Sequence, residues 1–187
     1  MNLSMHRELL FFGLILVMCP SVAWSEQGRV RSYPLLDNNR LQLTVPPSWQ
    51  DELQQPPRGL PPRIVFKPET GASFQILLTP FSAAGPDIPP LIANDLRRKV
   101  EGAAEHARAQ AIEQVIKVKE LVGASGLGYY FSATDRAPAP GEYTYMTQGV
   151  RQVGSLLITF TILTNDGQTQ TVADALAMLS SAVQVTQ

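Results

Sequence analysis

Cysteine is almost absent from this chain, and its absence excludes several chemistries at once. Cys19 is the only one in 187 residues, so no internal disulfide framework and no cysteine-based zinc cluster is available. Histidine is nearly as scarce, with His6 and His106 alone. Charge is also sparse, at 17% of residues with a formal net charge of −1. A polyanion-binding protein carries a basic face or a strong positive balance, and neither is present. The one basic cluster, Arg97-Arg98-Lys99, fans around a helix and reads as a solvated face, so no nucleic-acid partner is expected. Long apolar runs are missing after the first 25 residues, which leaves no further segment able to span a bilayer as a helix.

What is present at the start is an apolar run with the order of an export signal. His6 and Arg7 give a short polar beginning, Leu9 to Val22 is nearly unbroken in apolar residues, and Ala23-Trp24-Ser25 is a small-x-small ending. That order suits a signal peptide over residues 1–25, cleaved between Ser25 and Glu26. The run is short for a membrane anchor and Pro20 interrupts it. Met18 stands before Cys19, where lipoprotein processing needs a small residue, so lipid attachment is not expected. Cleavage removes Cys19, and it removes Arg7 together with Glu8, which leaves the charge balance unchanged. Residues 26–187 then form one domain, long enough to hold itself together through its core. The expected address is periplasmic or secreted.

The remainder reads as strands, a helix, strands and a helix. Arg29 to Leu36 alternates weakly before the turn Asp37-Asn38-Asn39, and Leu41, Leu43 and Val45 alternate with polar neighbours. Pro46-Pro47 stops that strand. Asp51 to Pro62, rich in proline and glutamine, reads as an extended loop. Ile64 to Lys67 and Ser73 to Phe81 form a hairpin around Pro68-Glu69-Thr70-Gly71. After the Ala83 to Pro90 loop, the stripe Ile92, Leu96, Val100, Ala103 and Ala107 predicts a helix to about Ala111, its small residues packed closely on a sheet. Val115 to Val122, Gly128 to Ala133, Tyr143 to Gln152 and Ser155 to Thr164 are further strands, the last apolar enough to be central and covered on both sides. A closing helix carries Val172, Leu176, Leu179 and Val183, with Asp166 or a nearby threonine as its cap. The class is α+β: a largely antiparallel sheet flanked by helices, without internal repeats.

Two features carry a family resemblance. One is the strand leading into Val45-Pro46 and Trp49; the other is Gly123 before the tyrosine-rich strand and the closing hairpin and helix. Together they resemble the PsbP/DcrB family, an α/β/α sandwich shared by a photosystem extrinsic protein, periplasmic bacterial proteins and a nuclear-transport factor. The stretch from Gly128-Tyr129-Tyr130-Phe131 to Asn165-Asp166-Gly167 is also similar to exported proteins of Gram-negative bacteria. The shared motifs are structural: a turn proline, a packing tryptophan, a hairpin glycine. The resemblance implies an accessory or binding module rather than an enzyme.

A search for chemistry returns little. Gly123-Ala124-Ser125-Gly126-Leu127-Gly128 approaches a nucleophile elbow and a dinucleotide fingerprint, but a strand follows where both need a helix. A glycine-rich turn accounts for it. His106 lacks a second histidine at metal-binding spacing, and a triad with Ser125 and Asp135 has nothing local to orient it. Glu101 and Glu105, or Asp135 with Glu142, are carboxylate pairs of ordinary surface kind; Arg136 accompanies the latter. No catalytic residue, cofactor or metal is therefore expected. The candidate ligand or partner patch is aromatic: Trp49, Tyr129, Tyr143 and Tyr145, with Tyr130 on the opposite strand face, weighed against simple burial beneath a helix. The expected function is an exported, non-catalytic accessory protein that binds another protein or an envelope component. The alternatives are a periplasmic hydrolase and a small-ligand carrier with an apolar cavity between sheet and helix.

Overall fold

Ten strands and two helices make up the computed structural model, which describes residues 28–35, 38–57, 60–82, 92–165 and 169–186. Residues 1–27, Cys19 among them, and Asp37 and Asp166 lie outside the described residues. In chain order the elements are β1 (Arg29–Pro34), β2 (Asn39–Val45), β3 (Trp49–Gln54), β4 (Arg63–Pro68), β5 (Phe74–Ser82) and α1 (Ala93–Arg108). Then follow β6 (Lys119–Gly123), β7 (Gly126–Thr134), β8 (Tyr145–Val153), β9 (Leu156–Thr164), α2 (Thr169–Ser180) and β10 (Val183–Thr186). All pairings are antiparallel. The expected α+β architecture is observed, with corrections to its detail.

First, the strands divide into two sheets. Seven run in the order β3-β4-β5-β9-β8-β7-β6, and three form a small sheet, β1-β2-β10. Val183, expected as the last member of a helical stripe, instead opens β10, which pairs with β2. Four residues are too few to show a strand period, so only tertiary pairing decides them. Second, residues 51–54 are not loop. They complete β3, the edge of the large sheet, where Trp49 and Leu53 turn inward while Gln50, Glu52 and Gln54 face water. Charge and amide groups on that edge discourage pairing with another chain.

The large sheet separates two cores. On one face lie the inward residues of the small sheet (Tyr33, Leu41, Leu43, Val45) and of α2 (Ala175, Met178, Leu179), against Ile64, Phe66, Ile76, Leu78, Ile158, Phe160 and Ile162. Trp49 belongs here, packed on Phe74 at 4.9 Å and Phe66 at 6.4 Å between ring centroids. Its amide donates to the Pro46 carbonyl at 3.1 Å, so the proline turn sets the ring's entry into the core. Tyr33 donates its hydroxyl to Asp51 Oδ2 at 2.9 Å and tethers the small sheet to β3. Burial, then the Asp51 carboxylate, push that phenol well above its ordinary range.

On the opposite face α1 covers β7 and part of β8. Leu96, Val100 and Ala104 pack on Tyr129, Phe131, Ala133 and Leu157. Ile92, read as the first residue of this stripe, stands before the helix and is exposed. Strand β9 is central, as expected, but its α1 face is sealed only at Leu157; Thr159, Thr161 and Leu163 are half-buried. The helix is too short to roof the whole sheet, and this leaves room for the cleft described next.

Candidate functional site

The C-terminal half of α1 packs on the sheet through Ala104 but leaves an opening along one side. Ala103 and Ala107 lie one turn apart and face Ala133, Met146, Gln148, Leu163 and Gln75 from β7, β8, β9 and β5. The short alanine side chains leave space beside these strands, in a cleft of about 550 Å³. The loop between β7 and β8 rises along one side and supplies Asp135, Glu142, Tyr143 and Thr144, while His106 and Gln110 complete the helix side. Volume and a mostly apolar floor with a polar rim are those of a small-molecule pocket.

The walls are fixed by hydrogen bonds from the segment after α1. The Ile112 amide donates to the Thr134 carbonyl at 2.9 Å, the Arg136 amide to Gln110 at 2.9 Å, and the Asp135 amide to Thr144 at 2.8 Å. Arg136 Nη2 donates to the Ala111 carbonyl at 2.8 Å. Glu113 accepts from Thr134 at both carboxylate oxygens, from the amide at 2.9 Å and the hydroxyl at 2.7 Å. Burial pushes the Glu113 carboxyl up, but those two donors together with its own backbone amide outweigh it and hold it below its ordinary value.

The sign of the linkage follows. A depressed carboxylate contributes stability that is complete above its unfolded pKa and is lost as pH falls through the lower folded value. Glu113→Gln is therefore expected to cost about 1 kcal/mol at pH 7, the low end for a charge-assisted hydrogen bond that water partly reaches. Urea midpoints from pH 7 down to pH 3 check it: the gap between wild type and variant should close with acid.

The four aromatic residues of the expected patch are not brought together. Trp49 is in the α2-side core, and Tyr129 is covered by α1 on the other face of the sheet. Tyr145 starts β8 at 36% exposure, paired with Thr134 and Thr164 on the α2 side of the sheet. Only Tyr143 reaches the cleft; it precedes β8 rather than belonging to it, so strand alternation does not govern it. Burial explains the dispersal of Trp49 and Tyr129, each drawn into the core on its own side of the sheet. Tyr130 is partly buried with Lys119 Nζ 5.9 Å from its ring centroid.

The candidate catalytic groups separate in the same way. Ser125 is in the turn between β6 and β7, and Asp135 is just past the far end of β7, about 30 Å away for a nine-residue strand. His106 is exposed on α1 and lines the same cleft as Asp135 and Glu142. Asp135 Oδ1 accepts from the Ala137 amide at 2.9 Å and Glu142 Oε2 from the Ala139 amide at 3.2 Å, so both carboxylates brace their own loop. No serine lines the cleft among the described residues. Glu101 pairs with Arg97 at 2.9 Å, Glu105 with Arg108, and Asp95 with Arg98, which assigns the basic cluster and both helix glutamates to ordinary surface pairing. No group of three metal-binding side chains occurs among the described residues.

The glycine-rich turn has a structural use. A Cβ on Gly123 would lie 2.0 Å from Arg151 Nη2, and one on Gly128 would lie 3.0 Å from Arg151 Cβ. These glycines form a slot that admits the Arg151 side chain, which is wholly buried.

Fold and cleft thus define a class: an α+β sandwich with a ligand-sized opening beneath one helix. Among solved structures the chain is similar to the solution structure of cyanobacterial PsbP (CyanoP) from Synechocystis sp. PCC 6803. Identity is 14% and the TM-score 0.49, over 89% of this chain and 97% of that one. It is also similar to a crystal structure from Bacteroides thetaiotaomicron VPI-5482 at 8% identity and TM-score 0.45, over 79% of this chain and 45% of that one. No protein-family profile and no curated protein matches the chain. No described helix is long and apolar enough to cross a membrane.

Proposed function

We propose that this is an exported, non-catalytic binding protein of the cell envelope whose cleft beneath α1 holds a small, largely apolar molecule. The cleft itself carries the reading: about 550 Å³, floored by Met146, Leu163 and Ala133 and rimmed by Tyr143 and His106. The hydrolase alternative needs a nucleophile or a base oriented by a third group. Of the hydroxyl residues on the lining, Thr134 is already bonded to Glu113, and the cleft's two carboxylates are braced within their own loop. Export rests on the leader read from residues 1–25.

Titration with the neutral apolar dye N-phenyl-1-naphthylamine tests the site. Its fluorescence should rise and saturate at one dye per protein. Ala103→Trp, which puts an indole into the opening from the helix side, should remove most of that rise, with a ten-fold or greater loss of affinity. An unchanged titration for a folded Ala103→Trp variant would place the dye elsewhere and defeat the reading. Recovery of protein beginning at Glu26 from a periplasmic extract checks the export half.

A further inference from the structure

We infer that the cleft selects a cationic amphiphile: a small molecule with a compact apolar or aromatic body and one basic amine. This deepens the binding reading above and rests on it. The floor is apolar, but both ionised groups on the lining are carboxylates, Asp135 and Glu142. Among the described residues that line the cleft there is neither lysine nor arginine. None of the ion pairs among the described residues involves either carboxylate, and Arg136, next to Asp135, turns its guanidinium to the Ala111 carbonyl instead.

Each carboxylate is held in place by a backbone amide at one oxygen, which leaves the second oxygen to accept from a ligand. Two fixed anions on the rim of a low-polarity opening raise the local concentration of cations and repel anions. Tyr143, half-buried on the same loop, adds an aromatic ring of the kind that attracts an ammonium group. On the lining itself a carboxylate or phosphate ligand finds only His106, because the Arg136 guanidinium is engaged by the Ala111 carbonyl. The cluster of acids gains its meaning from the cavity beside it: an amine at the rim places its apolar body on the Met146 and Leu163 floor.

Three probes of matched shape separate this inference from the reading beneath it: 2-phenylethylamine, 2-phenylethanol and 3-phenylpropionate, titrated at neutral pH into the purified protein. The Met146 methyl resonance reports occupancy of the cleft. The amine is expected to bind about five-fold more tightly than the alcohol, and the acid more weakly than either, as for partly solvated charges. The Asp135→Asn, Glu142→Gln double variant should reduce the amine to the alcohol's level. On the wild-type protein, 0.5 M sodium chloride should do the same through screening, so the inference stays testable even if the variant folds poorly. Equal affinities for amine, alcohol and acid, all shifting Met146, would overturn the cation preference and leave the cleft as a binding site. No Met146 shift with any probe would overturn both.

Discussion

Gly149→Val is expected to yield a protein that does not fold at 25 °C, or one destabilised by about 4 kcal/mol or more. Gly149 sits in the middle of β8, between Tyr130 on β7 and Phe160 on β9 in the cross-strand register. A Cβ there would lie 2.3 Å from the Tyr129 carbonyl oxygen, 2.6 Å from Phe160 Cζ and 2.7 Å from Tyr130 Cβ. The first contact is with backbone, which cannot rotate away, and Phe160 is wholly enclosed by the α2-side core. Overpacking alone costs about 1–3 kcal/mol; a clash with a sheet's own main chain adds to that. Domains have only about 5–15 kcal/mol in hand. Gly102→Ala is the matched control, because an added Cβ meets nothing within 4 Å on the exposed side of α1. It should stabilise by about 0.5–1 kcal/mol through helix propensity. Circular dichroism melts of the two variants separate a steric cause from a general intolerance of glycine replacement.

Arg151 gives the second large effect. Its guanidinium is fully buried, donates from Nη2 to the Ser180 carbonyl at 3.2 Å, and finds no acceptor for Nε or Nη1 among the described residues. Ser180 is the last residue of α2, so the cation meets the negative end of the helix dipole. Burial without a carboxylate partner pushes the guanidinium below its ordinary range. Arg151→Glu should reverse the favourable term and bury an anion beside carbonyl oxygens, at a cost of about 4 kcal/mol or more. Arg151→Met keeps much of the volume and removes two unsatisfied donors. It should match wild type within about 1 kcal/mol, or exceed it. Urea midpoints decide. A methionine variant as unstable as the glutamate one would mean that the guanidinium's hydrogen bond, rather than its bulk, holds this face together.

The strongly periodic elements were legible in the sequence. Leu41, Leu43 and Val45 face the core of β2, and Leu156 to Thr164 is the central strand, because apolar spacing alone dictates both. The Ala124-Ser125 and Gly154-Ser155 turns follow from glycine, with Gly154 at φ 59 and Gly126 at φ 144. What resisted reading depends on distant partners. Asp51 to Gln54 join a strand because β4 lies alongside, and Val183 to Thr186 because β2 offers an edge. Arg151 falls at an inward position of β8, where its charge argues against burial; only the space left by Gly123 admits it.

For the site, the alanines of α1 were visible but ambiguous. Small residues permit close approach when the facing surface is large, and leave a void when it is also small. The strands opposite decide between the two, and no single-helix pattern contains that information. His106 and the Asp135 to Tyr143 loop were singled out separately in the sequence and meet only through the hydrogen bonds that pin residues 110–113 to the end of β7.

The methionine methyl spectrum tests the central claim most directly, because two methionines report on opposite faces of the large sheet. Met146 lies on the cleft floor, and Met178 is sealed in the core beneath α2. Screening a small library of soluble amphipathic fragments should move the Met146 signal in a dose-dependent, saturable way while Met178 stays in place. Binding that shifts Met178, or that leaves Met146 untouched throughout, would contradict the cleft as the working surface of this protein.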